Sequence, residues 1–566
     1  MHDLATLRAG GYRDAGLTKV KLTEPLNEFP AEIFDSSIAN TLEILDLSGT
    51  GLSTLPADLG ARLPHLRIAF FSNCNFATFP STALAGCQRL EMVAFRKNGM
   101  EGFEGNSIDD VAFPPQLRWL ILTDNCLAHI PASIGRCARL EKCMLAGNRL
   151  TGLPHAMASC QNLTLLRLAA NQLETLPVWL LTMPKLAFLS FAGNPCSSNS
   201  PSTKDTPSST STSSQSTLPH VDWNQIEIHH VLGEGASGII SKGTIRSGNA
   251  SGNTSAAVSR GPSSVQNSRG PSGFNTPSLS GTSTPALSVS GASVFSTATS
   301  LSALSATTST STSASSSSLS LSPSTPVAVK IFRGALTSDG TPYDEMAACL
   351  AAGQHVNLVQ VHGQIRWGED EDEIEEAKAT KEEAPAFRGG LIMELIPPQY
   401  RVLGQPPSFD SCTRDCFDTS SGDGSHMLPV PAALAILSGV ASAAAHLHAR
   451  GIAHGDLYAH NILVARGASV NPASTDYATH AILSDFGAAT IYGSDGTSTG
   501  KLDGLQKLEV LAFAHLVEDV VGLMTEEPSV RQKLLQLHQQ CVVPDVTERP
   551  AFSTLVSELE ALQASA

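Results

Sequence analysis

The first third of the chain repeats one pattern of leucines, and such a pattern leaves few folds open. The template LxxLxLxxNxL occurs seven times, the last copy truncated, and successive copies begin 23 to 27 residues apart. The copies begin at Leu42, Leu66, Leu90, Leu117, Leu140, Leu163 and Leu186. Segment 17–26 looks like a degenerate earlier copy. A unit this short cannot bury its own apolar face, so neighbouring copies must stack around a shared core.

This spacing and the recurrent asparagine resemble the leucine-rich repeat family over about residues 15–196. The inward leucines would pack against those of adjacent copies. The asparagine at each strand-to-loop bend could bind backbone groups that no strand satisfies. The resemblance implies an α/β leucine-rich repeat solenoid with a parallel sheet on its concave side.

The third position of the template is predicted to point out from the concave face. Apart from Lys142, its occupants are apolar: Ile44, Ile68, Met92, Trp119, Leu165 and Phe188. Phe70, Ile121 and Met144 lie beside them at the fifth position. Because contiguous apolar patches usually mark interfaces, we expect this face to bind a protein substrate or regulator, or to dock on another part of the chain.

Composition narrows the remaining possibilities. A chain of 566 residues is too long for one core. Its net charge of −16 argues against a nucleic-acid surface. The eleven cysteines include no CxxC pair, which favours a reducing, cytoplasmic location. The uncharged run 428–449 has two prolines and much alanine and serine, so we predict a buried helix and no membrane span.

Three segments are expected to lie outside the folded domains. Residues 197–225 form a Ser/Pro-rich linker, 247–325 a disordered Ser/Thr-rich insert, and 368–386 an acidic insert. Such segments have too little apolar surface to fold. What remains of 226–566 is predicted to form a second domain.

Several short motifs of this second domain are suited to handling phosphate. The pattern GxGxxG at Gly233, Gly235 and Gly238 allows backbone N–H groups to approach a phosphate closely. Lys330 lies in the strand-like run 325–332, and Glu345 lies near the start of segment 343–363, which is predicted to be helical and then extended and could offer the lysine a partner.

The remaining motifs follow in chain order. Strand-like GLIMELIPP covers 390–398, the loop GIAHGDLYAHNILV covers 451–464, and ILSDFGAAT covers 482–490. Near the end, Arg549 and Pro550 follow Cys541.

This series of motifs resembles the protein kinase superfamily and implies an α+β bilobal protein kinase-like domain that uses ATP and Mg²⁺. By that resemblance Asp456 accepts the proton of the substrate hydroxyl. Lys330, paired with Glu345, fixes the phosphates, while Asn461 and Asp485 hold the metal. The implied nucleotide-binding residues are Gly233, Gly235, Gly238, Ile240, Ala328, Lys330, Met393, Glu394 and Ile396.

The chain departs from the kinase pattern at several positions. Gly455 replaces the arginine of His-Arg-Asp, Tyr458 replaces a lysine common in Ser/Thr kinases, and His460 lies where tyrosine kinases keep arginine. No Ala-Pro-Glu motif follows Gly487, which removes the usual partner of Arg549. These changes affect switching and substrate choice more than the reacting groups.

Three functions therefore remain open. The favoured one is an ATP-dependent protein kinase, of Ser/Thr type, whose repeats recruit a substrate or regulator. The first alternative is a nucleotide-binding pseudokinase scaffold, against which stands the intact set Lys330, Glu345, Asp456, Asn461 and Asp485. The second is a kinase-fold enzyme that acts on a small molecule. Sequence alone does not decide the substrate, the activating signal, the oligomeric state or whether the repeats dock on the kinase-like domain.

Overall fold

The structure is a computed structural model that describes residues 2–12, 16–105, 113–197, 218–235, 237–246, 325–333, 336–367, 389–417, 427–466, 479–492 and 499–565. Almost all of the predicted Ser/Thr-rich insert, the acidic insert and most of the linker lie outside these described residues.

Eight short strands form one parallel sheet in the N-terminal domain, in chain order, and two further strands, Thr78–Phe79 and Gly102–Phe103, form a separate pair. The strands are β1 Lys19–Lys21, β2 Ile44–Asp46, β3 Ile68–Phe70, β4 Thr78–Phe79, β5 Met92–Ala94, β6 Gly102–Phe103, β7 Trp119–Ile121, β8 Lys142–Met144, β9 Leu165–Arg167 and β10 Phe188–Ser190. Each later strand of the main sheet begins at the third template position, and these residues pair in register. The prediction of a parallel sheet is confirmed, and segment 17–26, predicted as a degenerate earlier copy, contributes β1 to that sheet.

The leucine columns of the template make the core of this domain. Leu45, Leu120 and Leu166 are completely buried, because alternate strand residues point to the inner face. Helix α1 Leu4–Arg8 precedes the first strand. Helical turns connect later strands: α2 Ser36–Ala39, α3 Leu59–Arg62, α4 Ser81–Ala85 and 3₁₀ turns at Ala31–Phe34, Ala132–Arg136, His155–Ser159 and Val178–Thr182.

A six-stranded sheet and one helix form the sheet lobe of the C-terminal domain. Its spatial strand order is β11-β15-β16-β14-β13-β12. The elements are β11 His220–Asp222, β12 Ile226–Gly235, β13 Gly238–Ile245, β14 Pro326–Phe332, α5 Pro342–Ala352, β15 Val361–Arg366 and β16 Gly390–Glu394, with a 3₁₀ turn at Trp223–Gln225. The predicted Ser/Thr-rich insert falls in sequence between β13 and β14, which pair antiparallel.

Four helices and two small sheets form the helical lobe. The elements are β17 Tyr400–Val402, α6 Val430–Ala449, β18 Ile452–Ala453, β19 Ile462–Arg466, β20 Thr479–Leu483, β21 Thr490–Ile491, α7 Thr499–Leu523, α8 Pro528–Cys541 and α9 Phe552–Ser565, with 3₁₀ turns at Ala459–Asn461 and Val546–Glu548. Among the described residues, α6 alone is long and apolar enough to cross a membrane by length and composition, and 61% of its apolar window is buried inside the protein.

The outer face of the N-terminal sheet packs against the helical lobe. Ile68, Met92, Trp119, Leu165 and Phe188, all from the predicted concave column, are less than 6% exposed and belong to the same apolar cluster as α6, α7 and the 451–464 loop. Ile44 is partly buried against that cluster. This apolar column is therefore covered by the chain itself, and the expectation of a separate partner on it stays a prediction that requires the domains to part.

Candidate active site

The glycine-rich segment forms the hairpin between β12 and β13. Gly233 pairs with Ile240, and Gly235 pairs with Gly238. A Cβ at Gly238 would lie 2.1 Å from the carbonyl oxygen of Ile331. This position therefore requires glycine because the neighbouring strand passes too close for any side chain.

Lys330 and Glu345 meet in an ion pair between β14 and α5. Both residues are buried, at 8% and 2% exposure. Burial opposes the charge of Lys330, but the Glu345 carboxylate, with Asp485, outweighs it and raises the pKa of the lysine. The structure thus brings together the lysine and glutamate that the sequence predicted as partners.

The predicted nucleotide-binding strand residues lie next to one another in the sheet lobe. Ala328 pairs with Met393, and Val327 with Glu394, across β14 and β16. Ile240 and Met393 belong to one buried apolar cluster. Ile396 lies two residues beyond the end of β16 and is partly exposed.

Asp456 and Asn461 are joined within the 451–464 loop. The Asn461 Nδ2 donates to the Asp456 carbonyl oxygen at 2.9 Å and to Oδ2 at 3.0 Å. The 3₁₀ turn Ala459–Asn461 allows this contact because it folds the chain back on itself. Burial opposes ionisation of Asp456, but the guanidinium of Arg167 outweighs it and lowers the pKa of this carboxyl.

Asp485 follows β20 and adopts φ = +61°, a conformation in which a short polar residue is tolerated. Its Oδ1 accepts from the Gly487 N–H at 3.1 Å. Burial, and then the Glu345 carboxylate, raise the pKa of Asp485 to about 6. Lys330, Glu345, Asp456 and Asp485 therefore share one electrostatic environment.

The donor set suits a hard cation. The buried Oδ1 of Asn461 accepts no hydrogen bond within the described part of the chain, and such an oxygen is a good Mg²⁺ ligand. The described residues contain no cluster of three or more His, Cys, Asp or Glu suited to a metal. A cation bound by Asn461 and Asp485 would therefore need further oxygens, as supplied by nucleotide phosphates.

The absence of an arginine at 455 has a steric reason. Gly455 has φ = +74°, and a Cβ there would lie 2.6 Å from the Ala488 carbonyl oxygen and 3.0 Å from that of Leu189. The Gly455 N–H donates to Glu509 Oε1 at 2.5 Å, and Glu509 Oε2 lies 2.6 Å from His448 Nε2. The loop is held from α7 and α6, with no space for a side chain at 455.

Tyr458 and His460 face neighbours other than a phosphate site. The Tyr458 ring stacks on Phe188, with centroids 3.9 Å apart and planes at 7°. His460 Nδ1 lies 2.7 Å from Asp415 Oδ1. Burial lowers the pKa of His460, but the Asp415 contact outweighs it, so the pKa is raised.

Arg549 binds backbone carbonyls in place of a glutamate. It is completely buried and donates to Pro184 at 2.9 Å, Lys507 at 3.2 Å and Val543 at 3.2 Å. Burial lowers its pKa to about 10. One of its three acceptors comes from the N-terminal domain, an arrangement that sequence spacing alone gave no means to find.

Arg167 is the site residue that sequence reasoning missed. Its Nη2 lies 2.5 Å from Asp456 Oδ1, its Nη1 donates to the Gly455 carbonyl oxygen at 2.8 Å, and its Nε lies 2.8 Å from Asp339 Oδ1. Arg167 occupies the fifth template position, where most copies carry an uncharged residue. Arg167 is the only cation at this position in the seven copies, and that was the available signal.

Comparison with known proteins gives one finding for this region. The model of the lipopolysaccharide kinase (Kdo/WaaP) family matches residues 421–490, a span that contains Asp456, Asn461 and Asp485. The match supports a kinase-like C-terminal domain and a phosphotransferase activity. No curated protein matches the chain.

Proposed function

We propose that the C-terminal domain transfers the γ-phosphate of ATP to a hydroxyl of a protein, with Ser/Thr specificity. The observation that carries the proposal is the joint placement of Lys330 with Glu345 and of Asp456 with Asn461. Phosphoryl transfer depends on positioning and charge neutralisation, and these residues provide both.

Each residue has a distinct role in this proposal. Lys330, fixed by Glu345, neutralises phosphate charge, and the hairpin of Gly233 to Gly238 covers the phosphates. Asp456 receives the proton of the acceptor hydroxyl. Mg²⁺, held by Asn461 and Asp485, supplies charge stabilisation at the phosphate oxygens.

The N-terminal domain is proposed to be a leucine-rich repeat solenoid in the cytoplasm. The template, the register of its strands and the buried asparagines support this assignment. Its apolar column is proposed to take a protein substrate or regulator when the C-terminal domain does not cover it.

A sugar hydroxyl is the second candidate acceptor. It is favoured by the family match at 421–490 and by the short stretch 488–498 between Gly487 and α7. In protein kinases that stretch carries the peptide platform, so a chain with a reduced one is suited to a smaller acceptor.

The test is transfer of labelled phosphate from ATP in Mg²⁺ by the full chain, with casein and lipopolysaccharide sugars offered in parallel. We expect Asp456→Asn to lower transfer by about a thousandfold, the scale of a lost general base. Asp410→Asn, a matched change at an exposed aspartate, should leave the rate unaltered.

The acceptor that gains label distinguishes the two candidates, and phosphoamino-acid analysis reports Ser/Thr against Tyr. Equal, background labelling by wild type and Asp456→Asn would instead support the pseudokinase scaffold.

A further inference from the structure

Both carboxylate oxygens of Asp456 are already engaged. Oδ1 lies 2.5 Å from Arg167 Nη2 and Oδ2 accepts from Asn461 Nδ2 at 3.0 Å. Asn461 belongs to the same loop, whereas Arg167 comes from the N-terminal sheet. A hydroxyl that gives its proton to Asp456 must therefore compete with a charge-assisted contact from another domain.

Arg167 is committed to that contact. Its side chain is 2% exposed, and its partners Asp456, Gly455 and Asp339 all belong to the C-terminal domain. A buried guanidinium is stable only while such partners remain. Because its Nη groups donate to the Asp456 carboxylate and the Gly455 carbonyl oxygen, and its charge pairs with Asp339, Arg167 is placed to hold Asp456 and not to receive a phosphate.

Strands β9 and β10 of the N-terminal sheet also cover the surface beside Asp456. Phe188 stacks on Tyr458, two residues after Asp456. The Phe191 N–H donates to Thr490 Oγ1 at 3.2 Å, and Ser190 Oγ donates to the Asp339 carbonyl oxygen at 3.1 Å. β9 and β10 therefore fill space directly beside Asp456.

The two domains also come close together at Gly455. A Cβ there would lie 3.0 Å from the Leu189 carbonyl oxygen, so even one methyl group lacks space. The glycine that replaces the expected arginine thus leaves room for β10 beside the loop.

We propose that the N-terminal domain is an inhibitory cover, with Arg167 as the residue that holds Asp456 closed. The Lys330–Glu345 pair lies in the sheet lobe and has no part in this contact. The covered chain therefore binds ATP but transfers phosphate slowly until the domains part. The inference rests on the proposed phosphotransferase activity and adds its regulation.

The alternative role of Arg167 is to orient Asp456 for catalysis. That role predicts that Arg167→Ala lowers phosphate transfer, whereas the inhibitory role predicts that it raises transfer. We compare full-length Arg167→Ala with Arg149→Ala, a change at an exposed arginine of the same domain. Under inhibition, Arg167→Ala increases Asp456-dependent transfer by about tenfold or more, because loss of a buried ion-pair partner shifts a two-state equilibrium at least that far. Arg149→Ala should match wild type.

A second measurement follows opening directly. Hydrogen exchange of the Phe191 amide, which is bonded across the interface, should become faster in Arg167→Ala and not in Arg149→Ala. Phe188→Ala removes the Tyr458 stack without touching Asp456. Like Arg167→Ala, it should increase phosphate transfer and speed the exchange of the Phe191 amide. It replaces Arg167→Ala as the test if that variant fails to fold.

The outcomes separate the two ideas. Transfer that falls or stays level in Arg167→Ala and Phe188→Ala, while wild type is active, overturns the inhibitory cover and leaves the phosphotransferase proposal standing. Absence of Asp456-dependent transfer in every variant overturns the proposed function, and the inhibition with it.

Discussion

The two domains satisfy their buried polar groups in different ways. In the N-terminal sheet domain, Asn148 Oδ1 accepts from the Leu127 N–H at 3.1 Å, and its Nδ2 donates to the Leu122 and Leu145 carbonyls at 2.9 Å. Asn171 repeats this arrangement one copy later. The partners of these two asparagines are backbone groups at the same offsets along the chain.

In the C-terminal domain the buried groups are charged side chains whose partners lie at irregular distances along the chain. Lys330 meets Glu345, Gly455 meets Glu509, and Asp456 meets Arg167, 289 residues away. In a repeat, the hydrogen-bond partners of a buried polar group can thus be predicted from the sequence. The contacts of the candidate active site form only when the chain folds. Mutations of the two kinds of contact should therefore have different effects on stability and on phosphate transfer.

The largest loss of stability is expected for Lys330→Met. It leaves the Glu345 carboxylate buried without its partner, which costs about 3–5 kcal/mol. Urea unfolding, followed by the tryptophan fluorescence of the C-terminal domain, measures the change in stability. Lys242→Met on the neighbouring strand is the control.

The double variant Lys330→Met/Glu345→Met sharpens this test. Removing both charges should restore most of the stability, while phosphate transfer stays lost. A double variant as unstable as Lys330→Met would contradict the view that the pair serves chemistry rather than folding.

A smaller loss is expected in the N-terminal domain for Asn148→Ala. It leaves the Leu127 N–H without its acceptor, whereas the Leu122 and Leu145 carbonyls keep donors from Asn125 and Asn171. We expect a cost of about 2 kcal/mol, since an unsatisfied buried group costs about 1–3 kcal/mol. Thermal unfolding measures it, with exposed Asn75→Ala as the control. Transfer per folded molecule should stay unchanged, and a parallel loss would show that one repeat controls the site.

The smallest effect concerns the pH dependence of the His460–Asp415 pair. Because the folded pKa of His460 lies above its ordinary value of 6.5, the pair's stabilisation is fully present below pH 6.5 and is lost as pH rises through the folded pKa. We expect about 1.5 kcal/mol to disappear, the scale of a charge-assisted hydrogen bond.

Urea unfolding across a pH series checks this, because Asp415→Asn should flatten the profile and exposed His155→Gln should not. A profile identical in wild type and Asp415→Asn would exclude the pair as its source.

Much of the site could be predicted because its motifs are local. Asp456 and Asn461 are five residues apart and meet through one turn, and Lys330 follows from a strand pattern. The parallel sheet followed from the period of the leucines. The predicted concave column was also found, although its present occupant is the chain's own helical lobe.

The rest depended on contacts that no local pattern encodes. Arg549 binds the carbonyls of Lys507 and Pro184, 42 and 365 residues away along the chain. Gly455 is explained by the nearby carbonyl oxygens of Ala488 and Leu189.

By itself the sequence determined the repeat register, the order of the catalytic motifs and the chemistry those motifs can perform, because each depends on spacing within a few turns or strands. Only the tertiary structure decided that Arg167 reaches Asp456 and that Phe188 covers Tyr458. The physical reason is that a buried charge selects its partner by position in space, and two domains far apart in sequence supply that position only after they pack.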